Sequence, residues 1–540
     1  MMMPDMMRFF GGPITMAHDE TTAATTAAAT EPQPTAPEDL AAAADSLHGM
    51  PAANDGAGAS GASTPQAGFE AFEEKMLDNN MSELSIQQFH HLYTSWKNGS
   101  RTVIPESTIT PIKEGEITSV AEEHENLDHD FAMEAFRHTA FLKLNGGLGT
   151  SMGLEGPKSL LPVRRHKARQ MRFIDIIMGQ VIASRVRQDV PLPLVFMNSF
   201  RTSGDTLKVM KADQRFRQEN VPWEIVQHTE PKIDAATGAP AQFPENHELE
   251  WCPPGHGDVF STIWESHLLD SLQAAGMEYL FISNSDNLGA RPSSTLAGAF
   301  AKSGAPFMVE VSKKTPSDRK GGQIVRDRKS GQLMLREISQ VPESDLSAAL
   351  NYRHHRYFNT NNIWVRVDAL KELLAQHDGV LDLPIIVNHK TVDPSNKNTE
   401  KVIQLETAMG AAISLFPNAT CIEVNRSRFL PVKTTNDLFV MRSDRFHLTD
   451  SFEMEDGNYV FPDVKLDPEH FKNIQDFDDR FPYGVPSIAA ANSVTVDGDW
   501  YFGRDVSFYG DAHLPDYGHP SYVPNGSFVG PQGIEPDEWI

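Results

Sequence analysis

Between Thr139 and about Val440, short apolar runs alternate with stretches of helical spacing. AFLKLN (140–145), LPLVFMNS (192–199), EYLFISN (278–284), PFMVEVS (306–312) and NIWVRV (362–367) read as strands. FIDIIMGQVIASRVRQ (173–188), between the first two, predicts an amphipathic helix. Strand, helix, strand repeated in this way predicts an α/β fold with a mostly parallel sheet, whose functional loops lie at the strand C-termini.

Different patterns flank this region. Upstream, apolar residues at helical spacing (Phe69, Phe72, Met76; then Leu84, Ile86, Phe89, Leu92) predict a helical segment that stops at Asn98-Gly99, a C-cap signal. His90 and His91 are adjacent there and point about 100° apart on a helix, which disfavours a shared metal. Downstream of about residue 445, Val496, Phe502, Phe508 and Leu514 recur every six residues, as do Val494, Trp500, Val506 and Ala512. Six-residue recurrence with interspersed Gly predicts a parallel β-helix, with an antiparallel meander as the alternative. From about Met16 to Gly68 the chain is rich in Ala, Thr and Pro with almost no large apolar side chain, so a disordered tail is expected over residues 1–68.

The 540 residues predict two to four domains. With 47 basic against 73 acidic side chains, the formal charge is −26. Nucleic-acid affinity is mostly phosphate neutralisation by Lys and Arg, so a nucleic acid or an anionic membrane is excluded as partner. Two cysteines, Cys252 and Cys421, provide neither a disulfide framework nor a four-Cys zinc site, and no apolar run reaches membrane-span or signal-peptide length. A cytoplasmic location is expected, in which the sequons at Asn98 and Asn418 carry no meaning.

The most informative segment is FLKLNGGLGTSMGLEGPKSLLPV (141–163), with five glycines directly after an apolar strand. Glycine lets backbone N–H groups approach a ligand closely. The dinucleotide fingerprint fails because Met152 stands where its third Gly belongs, and the P-loop fails because Pro157 separates Gly156 from Lys158. The nucleophile elbow G-x-S-x-G matches at Gly149 to Gly153, which keeps a serine hydrolase using Ser151 as the weaker alternative. An elbow, however, runs straight into a helix, and here Leu154-Glu155-Gly156-Pro157 follows.

LNGGLGTSMG followed by GPKS resembles the UTP–glucose-1-phosphate uridylyltransferase family (UDP-glucose pyrophosphorylase) of the eukaryotic-like type. FMNSF (196–200), PPGHGD (253–258), ISNSDNLGA (282–290), KGGQI (320–324), FNTNN (358–362), KVIQLETAMGAAI (401–413) and SRFLPVKTTNDL (427–438) look like that family's blocks in the same order, over roughly residues 69–515. The resemblance implies a Rossmann-like nucleotide-diphosphosugar transferase domain (139–445), an N-terminal helical segment (69–138) and a C-terminal left-handed β-helix (446–540). It implies Mg²⁺-dependent, reversible transfer of the uridylyl group of UTP to glucose 1-phosphate, releasing pyrophosphate. N-acetylhexosamine uridylyltransferases carry G-G-x-G-T-R-L-G, whereas Ser151-Met152 stand here in place of Arg-Leu; glucose is therefore favoured over N-acetylhexosamine, with galactose 1-phosphate left open. A silent UTP-sensing protein is disfavoured because the Lys, Asp and Gly positions are filled.

By the same resemblance, Leu144, Asn145, Gly146 and Gly147 hold the uracil and ribose end of UTP, Gln227 reads a uracil edge, and Gly255 borders the nucleotide. Asp286 contacts the nucleotide and binds Mg²⁺; Lys158 and Lys433 bind phosphates and are catalytic. His256, Asn284, Asn359 and Asn361 take the sugar phosphate. The reaction needs no general base, because a sugar phosphate has its second pKa near about 6 and is mostly dianionic at neutral pH. His354 and His355, between Arg353 and Arg356, read as loop charge. A homo-oligomer through the C-terminal domain is implied too, although the Pro- and Gly-rich end departs from long regular coils.

Overall fold

The computed structural model describes residues 68–99, 103–154, 156–167, 169–315, 318, 321–455 and 462–534. The tail expected to be disordered lies outside the described residues but for its last one. A seven-stranded sheet forms the centre. Its strands are β1 (Thr139–Asn145), β2 (Leu194–Asn198), β3 (Glu224–Val226), β4 (Tyr279–Asn284), β5 (Phe307–Lys313), β6 (Tyr357–Arg366) and β7 (Thr420–Glu423), in the spatial order β7-β5-β6-β4-β1-β2-β3. All neighbours pair parallel except β6, which runs antiparallel to β4 and β5. Strands covered on both faces read as continuous apolar runs, and every residue of β1 is buried.

Two of the sequence-based elements differ in kind. The helix Phe173–Gln188 has the expected bounds, but it is not amphipathic at its start: Phe173 through Val181 are all buried. The sheet core covers one side, and the chain near Phe452 covers another, where the Gln180 amide donates to the Phe452 carbonyl at 3.0 Å. Gly179 makes the approach possible, since a Cβ there would fall 2.4 Å from the Phe452 ring. Strand β6 is also longer than NIWVRV, beginning at Tyr357 and running through FNTNN to Arg366, with a register shift opposite Glu310/Val311.

The N-terminal helical segment contains two helices at its start, Glu70–Asp78 and Glu83–Lys97, separated by Asn80 at φ +56° and restarted by the Ser82 cap. Phe72, Met76, Phe89 and Leu92 are buried with Ile385, Ile403 and Leu405. Full burial of each such side chain contributes about 1.5–3 kcal/mol. His90 packs on Phe69 and His91 bonds Asp382 at 3.1 Å, so the doublet divides its partners.

Downstream, Asp463–Leu466, Ser487–Val496, Ser507–Leu514 and Phe528–Gly530 stack in parallel, and Trp500–Phe502 pairs parallel with Ser521–Val523. Val494 lies opposite Ala512 and Val496 opposite Leu514, so both six-residue ranks point inward, and all eight of their residues are buried. This stack shares one hydrophobic cluster with Phe141, Ile174 and Phe439. Among the described residues, no helix is long and apolar enough to cross a membrane.

Candidate active site

Three parallel strands, β1, β2 and β4, end on asparagine, and their registers set Asn145 opposite Asn198 and Leu144 opposite Asn284. Ligands in open α/β sheets bind beyond such ends. The Asn145 side chain is nevertheless fully engaged: it donates to Asn198 Oδ1 (2.7 Å) and Thr206 Oγ1 (2.9 Å) and accepts from Ser285 Oγ (3.1 Å). The Asn145 side chain is thus taken up within the protein. Gln227 is buried, takes its register from the Asn198 carbonyl (2.7 Å), and sets its amide against Gly146, where a Cβ would come within 2.5 Å of Nε2. Around a Cβ at Gly147 no described atom lies within 4 Å, so the surface there is open.

The glycine loop then folds back. Leu148 bridges Pro157, and the Lys158 N–H donates to the Gly147 carbonyl at 3.3 Å. Thr150–Met152 forms one 3-10 turn that ends at Gly153 with φ +69°, not the helix that a nucleophile elbow requires. The Ser151 side chain lies outside the described ones. Because the loop doubles back, Lys158 reaches the end of β4 and pairs with Asp286, Nζ to Oδ2 at 2.9 Å. The other carboxylate oxygen, Asp286 Oδ1, is buried and has no hydrogen-bond partner among the described residues.

The Asp286 segment is stitched to the block that carries Lys433. Val432 N–H donates to the Asp286 carbonyl (3.2 Å), Asn287 bridges Pro431, and Asn287 Oδ1 accepts from Leu430 N–H (2.8 Å). Beneath them, Arg428 pairs with buried Glu310 at 2.7 Å. Lys433 follows directly, and its backbone N–H is held by Asp437 Oδ2 (2.8 Å), which also caps the helix Thr435–Arg442. Its charge is felt by two neighbours. Burial, helped by Lys433, lowers the His256 pKa to about 4. Burial raises that of Glu337, an effect that Lys433 and Lys314 oppose.

His256 is therefore a neutral imidazole. Its Nδ1 accepts from the Met409 N–H at 3.0 Å, which leaves the proton on Nε2 as a donor. The loop that presents it needs both of its glycines: Gly255 has φ +81° and a Cβ would lie 2.6 Å from the Thr407 carbonyl, while one on Gly257 would lie 2.2 Å from Thr407 Oγ1. Asn361 sits at φ +62° in the irregular stretch of β6, and its N–H donates to Asn359 Oδ1 at 2.9 Å. Such bulges re-aim side chains. Asn284 closes β4, two residues before Asp286.

One group was not foreseen. His228, next to Gln227, bonds Asp258 Oδ1 (2.7 Å) through Nδ1 and Glu265 Oε2 (2.6 Å) through Nε2, while its N–H donates to Asp258 Oδ2. Burial disfavours its charge, yet Asp258 and Glu265 raise its pKa to about 10. This imidazolium ties the Gln227 segment to the His256 loop, because Asp258 is fully buried two residues beyond His256. The only sequence signals were the His in QHT and the Asp in GHGD, which carry no mark of their pairing.

The family model described as UTP–glucose-1-phosphate uridylyltransferase matches residues 86–509. UTP–glucose-1-phosphate uridylyltransferase 2 of Dictyostelium discoideum is 35% identical over 468 residues, covering 84% of this chain and 88% of that protein. The Saccharomyces cerevisiae UTP–glucose-1-phosphate uridylyltransferase is 38% identical over 399 residues (72% and 76%). Among solved structures, a mutant UDP-glucose pyrophosphorylase from Leishmania major in complex with UDP-glucose superposes with a TM-score of 0.78 at 35% identity, covering 87% of this chain and 99% of that one.

Proposed function

The chain belongs to the UTP–glucose-1-phosphate uridylyltransferase family, and from that premise we propose how its own residues convert UTP and glucose 1-phosphate into UDP-glucose and pyrophosphate. The reading rests on one observation above the others: Lys158, Asp286, Lys433 and His256 converge where β1 and β4 end, against the glycine loop and Gln227. Gly146 and Gly147 offer backbone groups to the uracil and ribose, and Gln227 reads the base edge with an amide that both donates and accepts. Gly255, at φ +81° and ψ 178°, lets the loop beside them take a course open essentially to glycine.

The phosphates fall to the two lysines. The sugar phosphate oxygen attacks the α-phosphorus in line, a bond to pyrophosphate breaks, and charge grows on the transferring oxygens, where fixed cations act most strongly. Lys433 stands at that position, and Lys158 holds Asp286 in place and supplies a second positive charge. Neutral His256 donates its Nε2–H to the sugar phosphate without adding charge, and Asn284, Asn359 and Asn361 bond the hydroxyls. No protein nucleophile takes part.

Asp286 fits a hard divalent ion: its buried Oδ1 is unpartnered among the described residues, and Mg²⁺ typically takes one or two carboxylates plus phosphates. Bound there, Mg²⁺ neutralises phosphate charge. The C-terminal parallel stack is a left-handed β-helix in this reading. Exposed Tyr517, Tyr522 and Phe528 support self-association through it, and the buried thiols of Cys252 and Cys421 fit a cytoplasmic enzyme. Pyrophosphate release from UTP and Mg²⁺, measured with glucose, galactose and N-acetylglucosamine 1-phosphates in turn, tests the substrate. Fastest release with glucose 1-phosphate is expected; fastest release with another sugar overturns the assignment.

A further inference from the structure

The doublet read from the sequence as loop charge has another organisation. His355 is only 2% exposed, and both imidazoles direct Nε2 at one carboxylate oxygen far away in sequence: Glu106 Oε1 lies 3.2 Å from His354 and 3.0 Å from His355. The rings stand edge to face, 83° apart. Glu106 opens a 3-10 turn whose first N–H is held by Asp345 Oδ2 at 2.7 Å. Its second oxygen accepts from the fully buried Arg336 at 2.6 Å.

Two imidazole nitrogens and a carboxylate oxygen, all within 4.8 Å of one another, form a mixed N/O donor set. For a tetrahedral ion with bonds of about 2.0–2.1 Å, ligand atoms sit roughly 3.3 Å apart. The observed 3.0 and 3.2 Å separations from the shared oxygen are close to that spacing. Each Nε2 faces the Glu106 carboxylate as a hydrogen-bond donor, so a cation bound between them would displace those ring protons. Arg336 occupies the carboxylate's far oxygen, as an outer partner does when it orients a ligating carboxylate. His354 is half exposed, which provides a route from solvent. Imidazole ligands select transition ions over Mg²⁺ and Ca²⁺.

We propose that Glu106, His354 and His355 form a binding site for a zinc-class divalent transition ion, with water completing its coordination. This site is built from other residues than the substrate site. It would fasten the Glu106 turn to the chain entering β6, two residues before Tyr357.

The test uses the untagged full-length chain, stripped with EDTA and titrated with Zn²⁺ in competition with a chromophoric chelator. One equivalent of zinc is expected to bind, with more than about tenfold weaker binding in His354→Ala and in His355→Ala. Co²⁺ in place of zinc should give the visible absorption of a four-coordinate ion, absent in both variants. His354→Ala removes a half-exposed ring and so keeps the test sound if His355→Ala fails to fold. No stoichiometric zinc, or zinc bound equally well by His354→Ala, overturns the proposal.

Discussion

Lys433 makes the sharpest prediction, because a cation that matters most as charge develops should affect rate more than binding. Lys433→Ala is expected to lower kcat by about 10²–10³-fold, the usual loss when one such stabilising group is removed, with little change in the UTP KM. A normal kcat would remove it from the chemistry. Asp286→Asn preserves shape but removes the charge facing Lys158 and the proposed metal. Turnover should collapse and the Mg²⁺ titration should shift; an unchanged metal titration would exclude Asp286 as the ligand. His228 makes a prediction about pH. Its folded pKa of about 10 stands above the unfolded value near 6.5. The stability it provides is therefore full below about pH 6.5 and lost as pH rises through 10. Urea denaturation of wild type and His228→Gln should show a stability gap that closes across that window, and a gap constant with pH would contradict the doubly paired imidazolium.

The loop Pro253 to Asp258 shows how an element fixes a side chain. Gly255→Ala would force a side chain into φ +81°, ψ 178°, a region essentially reserved for glycine and costing about 1–3 kcal/mol, and bring a methyl against the Thr407 carbonyl, so His256 would be displaced. Lower thermal stability together with reduced kcat/KM for glucose 1-phosphate is expected; normal kinetics would show that the loop tolerates the change. Strands such as β1 and β4 were legible because a strand buried on both faces is mostly apolar, the buried Lys143 of β1, which donates to Ser283 Oγ and the Ala290 carbonyl, being the exception. The burial of Phe173–Val181 was not legible, since the cover comes from Phe452, far along the chain. The Asn-rich run at 358–362 reads as turn chemistry by composition, and only pairing with β5 makes it an irregular strand. Family blocks located the candidate residues one by one. Contacts such as Gly146 with Gln227, Lys158 with Asp286 and His228 with Asp258 join segments distant in sequence, and only folding reveals them.

The net charge of −26 opposes an anionic substrate in sum, yet fields between exposed charges are screened over about 8 Å at physiological salt. Lys158 and Lys433 therefore count for more in the proposed site than the global sum, while the acidic sum limits polymeric partners. Every proposed site residue lies in the compact unit Ala62–Ile540. A chain beginning at Ala62 should accordingly keep the kcat of the full chain, and steady-state assay of the two side by side would reveal any contribution of the removed residues. The central claim is that fixed cations and backbone donors carry uridylyl transfer in a single in-line displacement with no protein nucleophile. The stereochemical course at the α-phosphorus, followed with UTP bearing sulfur at that position, tests it most directly. Inversion in the UDP-glucose product is the predicted result, whereas retention would require a covalent uridylyl-enzyme intermediate and would contradict the account.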